Sequence, residues 1–144
     1  AKAAGLYMIC TMSKHDAEQS GYDDALMLDW RGNVVEGTGA NFFMITQDNV
    51  INTPPPDCFL NGITRQTVMQ LAKDRGYKIV ERHIQPEELT NANEIFVTGT
   101  AAEVTPVGKI DDLEFEVGEI TKTLREDYEK LVGRSEASLQ LLKI

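Results

Sequence analysis

The sequence predicts one domain of the mixed α+β class, in which a meander of short antiparallel strands packs with helices. Three observations support this class. The 144 residues are about the length of one domain, and a hydrophobic content of 42% with 26% charged residues is typical of globular proteins. Short apolar runs separated by turn residues fill residues 24–53. Two later stretches place their apolar residues at helical spacing.

The strands of the meander are predicted from β-forming runs between turn residues. They are expected at residues 25–29, 34–36, 41–45 and 50–51. Arg31-Gly32-Asn33 has the composition of the turn before the second strand, and Asp48-Asn49 that of the turn before the fourth. Further extended segments are expected at residues 78–81, 94–98 and 104–110.

Two amphipathic helices are predicted in the second half of the chain. In the first, Val68, Leu71 and Ala72 share one face, and Gly76 is placed as its carboxyl-terminal cap. The second helix carries apolar residues at helical spacing and ends at Gly133; these residues are Ile120, Leu124, Tyr128 and Leu131. Residues 6–12 also fit a helix, Pro86 begins a short helical turn, and residues 135–144 receive no element.

Composition excludes several classes of function. The net charge of −9 opposes nucleic-acid binding, because phosphate backbones require clustered Lys and Arg. No apolar run approaches the ~20 residues of a membrane span, and the first residues lack the layout of a signal peptide. Cys10 and Cys58 are too few for a disulfide framework and lack metal-ligand spacing. We therefore expect a reduced, cytoplasmic, metal-free domain.

The stretch Leu60-Asn61-Gly62-Ile63-Thr64-Arg65 is the first candidate site. It lies between a proline run and the better of the two amphipathic helices. Backbone amides at a loop-to-helix entry are unpaired and face the positive end of the helix dipole. Gly62 allows a close approach of the chain to a ligand, so the stretch is interpreted as an anion or phosphate seat. An ordinary helix start preceded by a glycine remains the alternative.

Three other features can carry chemistry. Thr98-Gly99-Thr100 is a small-residue turn that can complete an anion site, although alone it is a weak motif. Glu36 ends an apolar strand, where a buried charge is costly unless it is paired; a solvated strand end is the alternative. Lys2 is by default a solvated charge. Together these parts match the needs of pyridoxal phosphate, namely a lysine for its aldehyde, an acid for its ring nitrogen and a cradle for its phosphate.

Three segments resemble the motifs of one family. They are Glu36-Gly37-Thr38-Gly39-Ala40-Asn41-Phe42-Phe43, Leu60-Asn61-Gly62-Ile63-Thr64-Arg65 and Thr98-Gly99-Thr100-Ala101-Ala102-Glu103-Val104-Thr105-Pro106-Val107. In this order and spacing they resemble the class IV (fold type IV) pyridoxal-phosphate aminotransferases, and most of all the branched-chain amino acid aminotransferases. The resemblance runs from Lys2 to about Val132. It implies the carboxyl-terminal domain of that fold, a meander or pseudo-barrel of short strands packed with helices.

The resemblance implies a role for each site residue. Lys2 is implied as the catalytic lysine, which holds the aldehyde as a Schiff base and carries the proton during the reaction. Glu36 is implied at the ring nitrogen and Tyr7 at the O3′ atom of the cofactor. The remaining residues are implied around the ring, the phosphate and the substrate carboxylate: Leu60 against the ring, Gly62, Ile63, Thr64 and Thr100 at the phosphate, and Ala101 and Ala102 near the substrate.

The resemblance also implies a domain organisation. Residues 1–133 correspond to the cofactor-binding domain of the family, and residues 134–144 form a tail without assignment. In the family an amino-terminal domain supplies a phosphate-binding arginine and much of the substrate pocket. We therefore expect this chain to be a truncated domain that is inactive, or nearly so, by itself. Family members are dimers or hexamers, so a homo-oligomer is expected of the full-length enzyme.

The expected function is transamination of leucine, isoleucine and valine with 2-oxoglutarate, through a pyridoxal 5′-phosphate cofactor. Its partners are amino-acid and 2-oxo-acid substrates, without nucleic acid or membrane. A D-amino acid aminotransferase or an aminodeoxychorismate lyase of the same fold is the first alternative, because these relatives share the lysine, the glutamate and the phosphate cradle. A non-catalytic ligand-binding domain is the second. The presence of Lys2, Tyr7 and Glu36 together counts against it.

Overall fold

One mixed sheet, two α-helices and a 3-10 helix make up the part of the chain described by the computed structural model. The described residues are 26–28, 34–37, 40–55, 62–99, 103–110, 113–133 and 142–143, and for 26–28, 35–37 and 142–143 only the backbone is described. The strands are β1 (Leu26–Leu28), β2 (Val34–Gly37), β3 (Ala40–Thr46), β4 (Ile51–Thr53), β5 (Ile79–Glu81), β6 (Ala92–Gly99), β7 (Glu103–Ile110), β8 (Leu113–Glu114) and β9 (Leu142–Lys143). The helices are α1 (Ile63–Asp74), the 3-10 helix (Pro86–Asn91) and α2 (Glu119–Leu131).

The sheet is mostly antiparallel. Its main path runs β1-β2-β3-β6-β7-β8, and every neighbouring pair on this path is antiparallel. Strand β4 pairs antiparallel with β3 and parallel with β5, while β9 runs parallel to β7. Because each of β1 to β3 pairs with the strand that follows it, the predicted meander is confirmed. The predicted turn at residues 48–49 is present and has Asn49 at a positive φ of 61°, whereas the turn at 31–33 lies outside the described residues.

Strand β3 carries the core on both of its faces. Successive side chains of a strand point to opposite sides, and Phe42 packs in one hydrophobic cluster while Phe43 packs in another. The Phe43 ring stacks on Phe96 of the neighbouring strand, with ring centroids 4.7 Å apart. The helices cover the Phe43 side, where Val68 and Leu124 are buried. Burial on both faces explains why this strand is a continuous apolar run in the sequence.

The two predicted α-helices are confirmed. Val68 and Ala72 of α1 are buried, and Gly76 follows the helix with a φ of 79° as expected of a carboxyl-terminal cap. In α2, Leu124 is fully buried, whereas Leu131 in the last turn is 61% exposed. Eleven residues separate Leu131 from Ile120, so by helical periodicity both lie on the same side. The last turn of α2 therefore extends beyond the core.

The rest of the predicted order also agrees with the structure. Strands β5, β6 and β7 coincide with the predicted extended segments, and the 3-10 helix begins at Pro86 as expected. Leu142–Lys143, in the stretch that received no element, joins the sheet beside β7. The helix suggested for residues 6–12 lies outside the described residues. Within the described ranges, no helix has the length and apolar character needed to span a membrane, and no group of His, Cys, Asp or Glu side chains is arranged to hold a metal ion.

Candidate active site

The amino-terminal end of α1 has neither a capping side chain nor an acidic residue in its first turn. Its N-cap residue is Gly62, and the first helical hydrogen bond runs from the Gln66 amide to the Gly62 carbonyl over 3.1 Å. The amides of Ile63 and Thr64 lie ahead of this bond, at the positive end of the helix dipole. A helix end of this kind is suited to binding an anionic group such as a phosphate.

Gly62 is needed for a close approach and not for an unusual backbone angle. Its φ of −62° and ψ of 151° are open to any residue. However, a Cβ atom added at Gly62 would lie 2.9 Å from Oδ1 of Asn41 on β3, which is closer than side chains normally allow. The start of α1 therefore rests directly on the Asn41 amide group. The sequence interpretation assigned this glycine to ligand approach, and the structure adds a packing reason.

Strand register brings Glu36 next to this helix end. Glu36 of β2 pairs with Asn41 of β3, and Asn41 in turn pairs with Thr98 of β6. Glu36, Asn41 and Thr98 therefore form a row across three adjacent strands. Asn41, in the middle of this row, contacts Gly62. Two of the predicted site positions, Glu36 and Gly62, are thus both neighbours of one residue. The Glu36 side chain itself lies outside the described atoms.

The end of β6 holds a buried hydroxyl. Thr98 is 0% exposed, and its Oγ1 finds no hydrogen-bond partner in the described part of the chain. Gly99 pairs with Glu103 at the start of β7, and Glu103 has a positive φ of 53°, which is uncommon for a residue other than glycine. Uncommon backbone angles concentrate at functional sites. The backbone is therefore constrained at the Gly99–Glu103 pair, where β6 ends and β7 begins.

Arg65 is the last residue of the stretch predicted as the first candidate site, but sequence reasoning gave it no role of its own. It is 1% exposed, and its Nη2 donates a hydrogen bond to the Pro54 carbonyl at 3.0 Å. The same nitrogen lies 3.8 Å from Oε1 of Glu81. Burial lowers the pKa of Arg65, and the nearby Glu81 charge partly opposes this shift. Arg65 therefore ties the first turn of α1 to the end of β4. No periodicity or motif signals such a role, since arginines are mostly exposed.

The structure describes only part of the predicted site. Among its residues, Gly62, Ile63 and Thr64 are described in full; Ile63 is 84% exposed and Thr64 is buried. The other predicted site residues lie outside the described part, and they are Lys2, Tyr7, Leu60, Thr100, Ala101 and Ala102. The described part fits a phosphate group, because a closely packed glycine opens a helix whose first turn carries no acidic residue.

A concave cleft of about 580 Å³ lies at the opposite end of α1. Gly76 and Lys78 line it together with Glu94. The Glu94 carboxylate accepts a hydrogen bond from the Thr121 amide at 2.8 Å, so it is already used within the fold. The cleft also reaches Glu119 and Ile120 at the amino-terminal end of α2, but the Glu94 carboxylate already occupies that end of the helix. The candidate site is therefore assigned to the Gly62 end.

The described geometry brings together two positions, Gly62 and Glu36, to which the resemblance gives a role at the cofactor. A family model described as amino-transferase class IV matches residues 1–110. The chain belongs to the class IV aminotransferases.

Several relatives and solved structures that resemble the chain are branched-chain aminotransferases. The branched-chain-amino-acid aminotransferase of Pseudomonas aeruginosa is 43% identical over 141 residues, which is 95% of this chain and 46% of the relative. The structure of the branched-chain aminotransferase from Thermoproteus uzoniensis with norvaline matches with a TM-score of 0.85 and 43% identity, covering 92% of this chain and 45% of that one. The T.th. branched-chain amino acid aminotransferase in complex with N-(5′-phosphopyridoxyl)-L-glutamate matches with a TM-score of 0.84 and 41% identity, covering 91% and 46%.

These matches confirm the fold and the family resemblance. The T.th. enzyme has also been solved with pyridoxamine 5′-phosphate, so the cofactor is bound by a structural relative. The chain spans about half the length of the curated relatives it matches.

Proposed function

We propose that the protein containing this chain transfers amino groups between branched-chain L-amino acids (leucine, isoleucine and valine) and 2-oxoglutarate, with pyridoxal 5′-phosphate as cofactor. The observation that carries this proposal is the start of α1 at Gly62, resting on Asn41 beside the strand position of Glu36. Membership of the class IV aminotransferases supports it. The norvaline and phosphopyridoxyl-glutamate ligands of the structural relatives support an aliphatic donor and a glutamate-derived acceptor.

The described residues provide the phosphate end of the site. The Ile63 and Thr64 amides bind the phosphate at the positive end of the α1 dipole, and Gly62 keeps that end free of a side chain. By the family resemblance, two residues outside the described part would complete this end. Thr100 would add a hydroxyl at the phosphate, and Leu60 would pack against the ring. These groups would bind the phosphate and orient the ring of the cofactor, and they take no part in proton transfer.

The reacting end of the site belongs to three other residues. When bound, the cofactor acts as an electron sink for the bond broken at the substrate Cα atom. Glu36 would hold a proton at the ring nitrogen, and Tyr7 would orient the ring through its O3′ atom. Lys2 would hold the cofactor through its Nζ atom and would carry a proton at that atom during the reaction. By the family resemblance, Ala101 and Ala102 would lie near the substrate carboxylate.

The proposed activity requires more residues than this chain contains. Because the chain spans less than half of the relatives named above, we expect residues outside these 144 to complete the substrate pocket. The chain alone is then expected to transaminate little or not at all. A cytoplasmic location and assembly as a dimer or hexamer belong to the same proposal, as the family resemblance implies.

Covalent labelling tests the proposal. The full-length gene product is mixed with pyridoxal 5′-phosphate and reduced with borohydride, and the modified lysine is mapped by peptide mass spectrometry. We expect the label on Lys2, and we expect the visible absorbance of the unreduced complex to be lost on addition of L-leucine. The matched control is Lys14→Arg, which removes a lysine to which the resemblance gives no role.

The possible results separate the alternatives. Label on another lysine, or none, contradicts the role of Lys2 and favours a ligand-binding domain. Label on Lys2 with absorbance lost to D-alanine and not to L-leucine contradicts the branched-chain substrate class and favours a D-amino acid aminotransferase. Substantial transamination by the 144-residue chain alone contradicts the expected need for further residues.

A further inference from the structure

We propose that Asn41 is a positioning residue that sets the spacing between the start of α1 and the strand position of Glu36. This inference rests on the function proposed above. It deepens that function by naming the residue through which the two ends of the cofactor site are held at a fixed separation.

Asn41 lies on β3, between two neighbouring strands that both pair with it. It is 6% exposed, and it pairs with Glu36 on one side of β3 and with Thr98 on the other. Moving its backbone would disturb two ladders of hydrogen bonds at once. Its Oδ1 lies 2.9 Å from the place where a Cβ of Gly62 would be, so the helix start is packed against a fixed support.

The chemistry of asparagine suits this position. The four residues that follow it on β3 are buried and apolar, so a polar side chain here carries a cost unless it has polar neighbours. An amide oxygen facing the positive end of a helix is favourable. An aspartate would add a full negative charge next to the anion-binding site. An alanine would remove the side chain against which the start of α1 packs.

The affinity of a cofactor that binds at two points depends on the distance between those points. Pyridoxal 5′-phosphate is expected to contact the helix end with its phosphate and Glu36 with its ring nitrogen. A ligand with two linked contacts loses affinity when the contacts move relative to each other, whereas a ligand with one contact does not. Pyridoxal, which lacks the phosphate, and inorganic phosphate, which lacks the ring, are the matching one-point probes.

The test compares Asn41→Ala with Asn52→Ala in the full-length gene product. Asn52 is a matched control because it is 3% exposed on β4, its side chain donates to the Met44 and Val50 carbonyls and accepts from Arg82, and none of these partners is Gly62. For Asn41→Ala we expect the dissociation constant of pyridoxal 5′-phosphate to rise about tenfold, with changes under about twofold for pyridoxal and inorganic phosphate. For Asn52→Ala we expect the ratios among the three ligands to stay unchanged.

Two further measurements keep the proposal testable if Asn41→Ala folds poorly. Asn41→Asp keeps the size of the side chain, and its added charge is expected to weaken inorganic phosphate as well as pyridoxal 5′-phosphate, with pyridoxal spared. In the absence of any ligand, the backbone amide resonances of Ile63 and Thr64 are expected to shift in Asn41→Ala and to stay in place in Asn52→Ala.

The outcomes are distinguishable. If the wild-type protein binds pyridoxal 5′-phosphate but Asn41→Ala behaves like Asn52→Ala, the positioning role is overturned and the proposed function stands. Equal weakening of pyridoxal and pyridoxal 5′-phosphate also overturns it, since a loss of that kind reflects general damage to the fold. If the wild-type protein binds no pyridoxal 5′-phosphate, the proposed function fails, and this inference fails with it.

Discussion

The Glu94 carboxylate of β6 accepts a hydrogen bond from the backbone amide of Thr121, in the first turn of α2, at 2.8 Å. Glu94 is only 7% exposed, and the N-cap of α2 is Gly118, which offers no capping side chain. A buried carboxylate at this end of a helix is stabilised by the dipole and by the amide. The charge of Glu94 is therefore structural, and it fixes α2 to the sheet.

Removing this contact is expected to destabilise the fold. Glu94→Ala leaves the Thr121 amide without its acceptor, and the free energy of unfolding should fall by about 1–3 kcal/mol. Glu94→Gln keeps an acceptor oxygen and should lose less. Urea denaturation followed by circular dichroism measures both. The control is Glu114→Ala on β8, an exposed acid for which a change within about 0.5 kcal/mol is expected. Equal losses in the two alanine variants would falsify the capping role.

Gly118 is expected to tolerate no side chain while Glu94 is present. A Cβ atom at Gly118 would overlap the Glu94 carboxylate, which its bond to Thr121 holds in place. Gly118→Ala should therefore cost about 1–3 kcal/mol of unfolding free energy. The cost should shrink in a Glu94→Ala background, because the obstructing group is gone.

A second glycine serves as the control for this prediction. Gly133 has open space around its Cβ position but a φ of 74°, so Gly133→Ala should cost about 1 kcal/mol through backbone strain alone. That cost should be the same with or without Glu94. Full additivity of Gly118→Ala and Glu94→Ala would show that the two residues do not collide.

Arg65 is expected to matter for stability and for the phosphate end of the site. Arg65→Lys keeps the charge but loses the guanidinium geometry that reaches the Pro54 carbonyl. We expect a loss of about 1–3 kcal/mol in unfolding free energy, together with weaker binding of inorganic phosphate, because the first turn of α1 loses its tie to β4. The comparison is Arg75→Lys near the other end of α1, whose side chain is half exposed. Unchanged phosphate affinity in Arg65→Lys would limit its role to folding.

Much of this fold could be predicted because its elements have strong local signals. Asp48-Asn49 and Gly76 mark turns through residues that accept positive φ, and both lie where the sequence placed them. The buried face of α1 follows from helical spacing alone. In α2 the same spacing includes Leu131, but periodicity gives the side of a helix and not the point at which the core ends, and Leu131 is exposed.

The contacts that build the candidate site could not be predicted in the same way. The approach of Asn41 to Gly62 joins β3 to α1, and the tie from Arg65 to Pro54 joins α1 to β4. Neither depends on a repeating pattern within one element. The resemblance of the motifs to a family did indicate Gly62 and Glu36, but it gave no reason for the particular side chain at position 41.

The 3-10 helix offers a prediction on pH. Glu88 accepts hydrogen bonds from Arg82, at 2.6 Å to Nη2, and from the Gln85 amide at 2.8 Å. The bond from Arg82 is the main cause that lowers the pKa of Glu88; burial opposes it, and the Gln85 bond adds to the lowering. A carboxyl group whose pKa is lower in the folded state stabilises the fold above its unfolded pKa. That contribution is lost as the pH falls through the lowered value.

Glu88→Gln should therefore reduce stability near neutral pH and have little effect in acid. At about pH 7 we expect a loss of about 0.5–1.5 kcal/mol in unfolding free energy, because one acceptor and the charge are removed. The difference from the wild type should narrow as the pH falls below the ordinary glutamate pKa of about 4.3 and then through the lowered pKa of folded Glu88. Denaturant titrations across this range measure it. The control is Glu87→Gln, which removes the same charge from an exposed position in the same helix. If the loss of stability in Glu88→Gln does not change with pH, the charge of the carboxylate does not contribute to stability, because a contribution from the charge must disappear when the group is protonated.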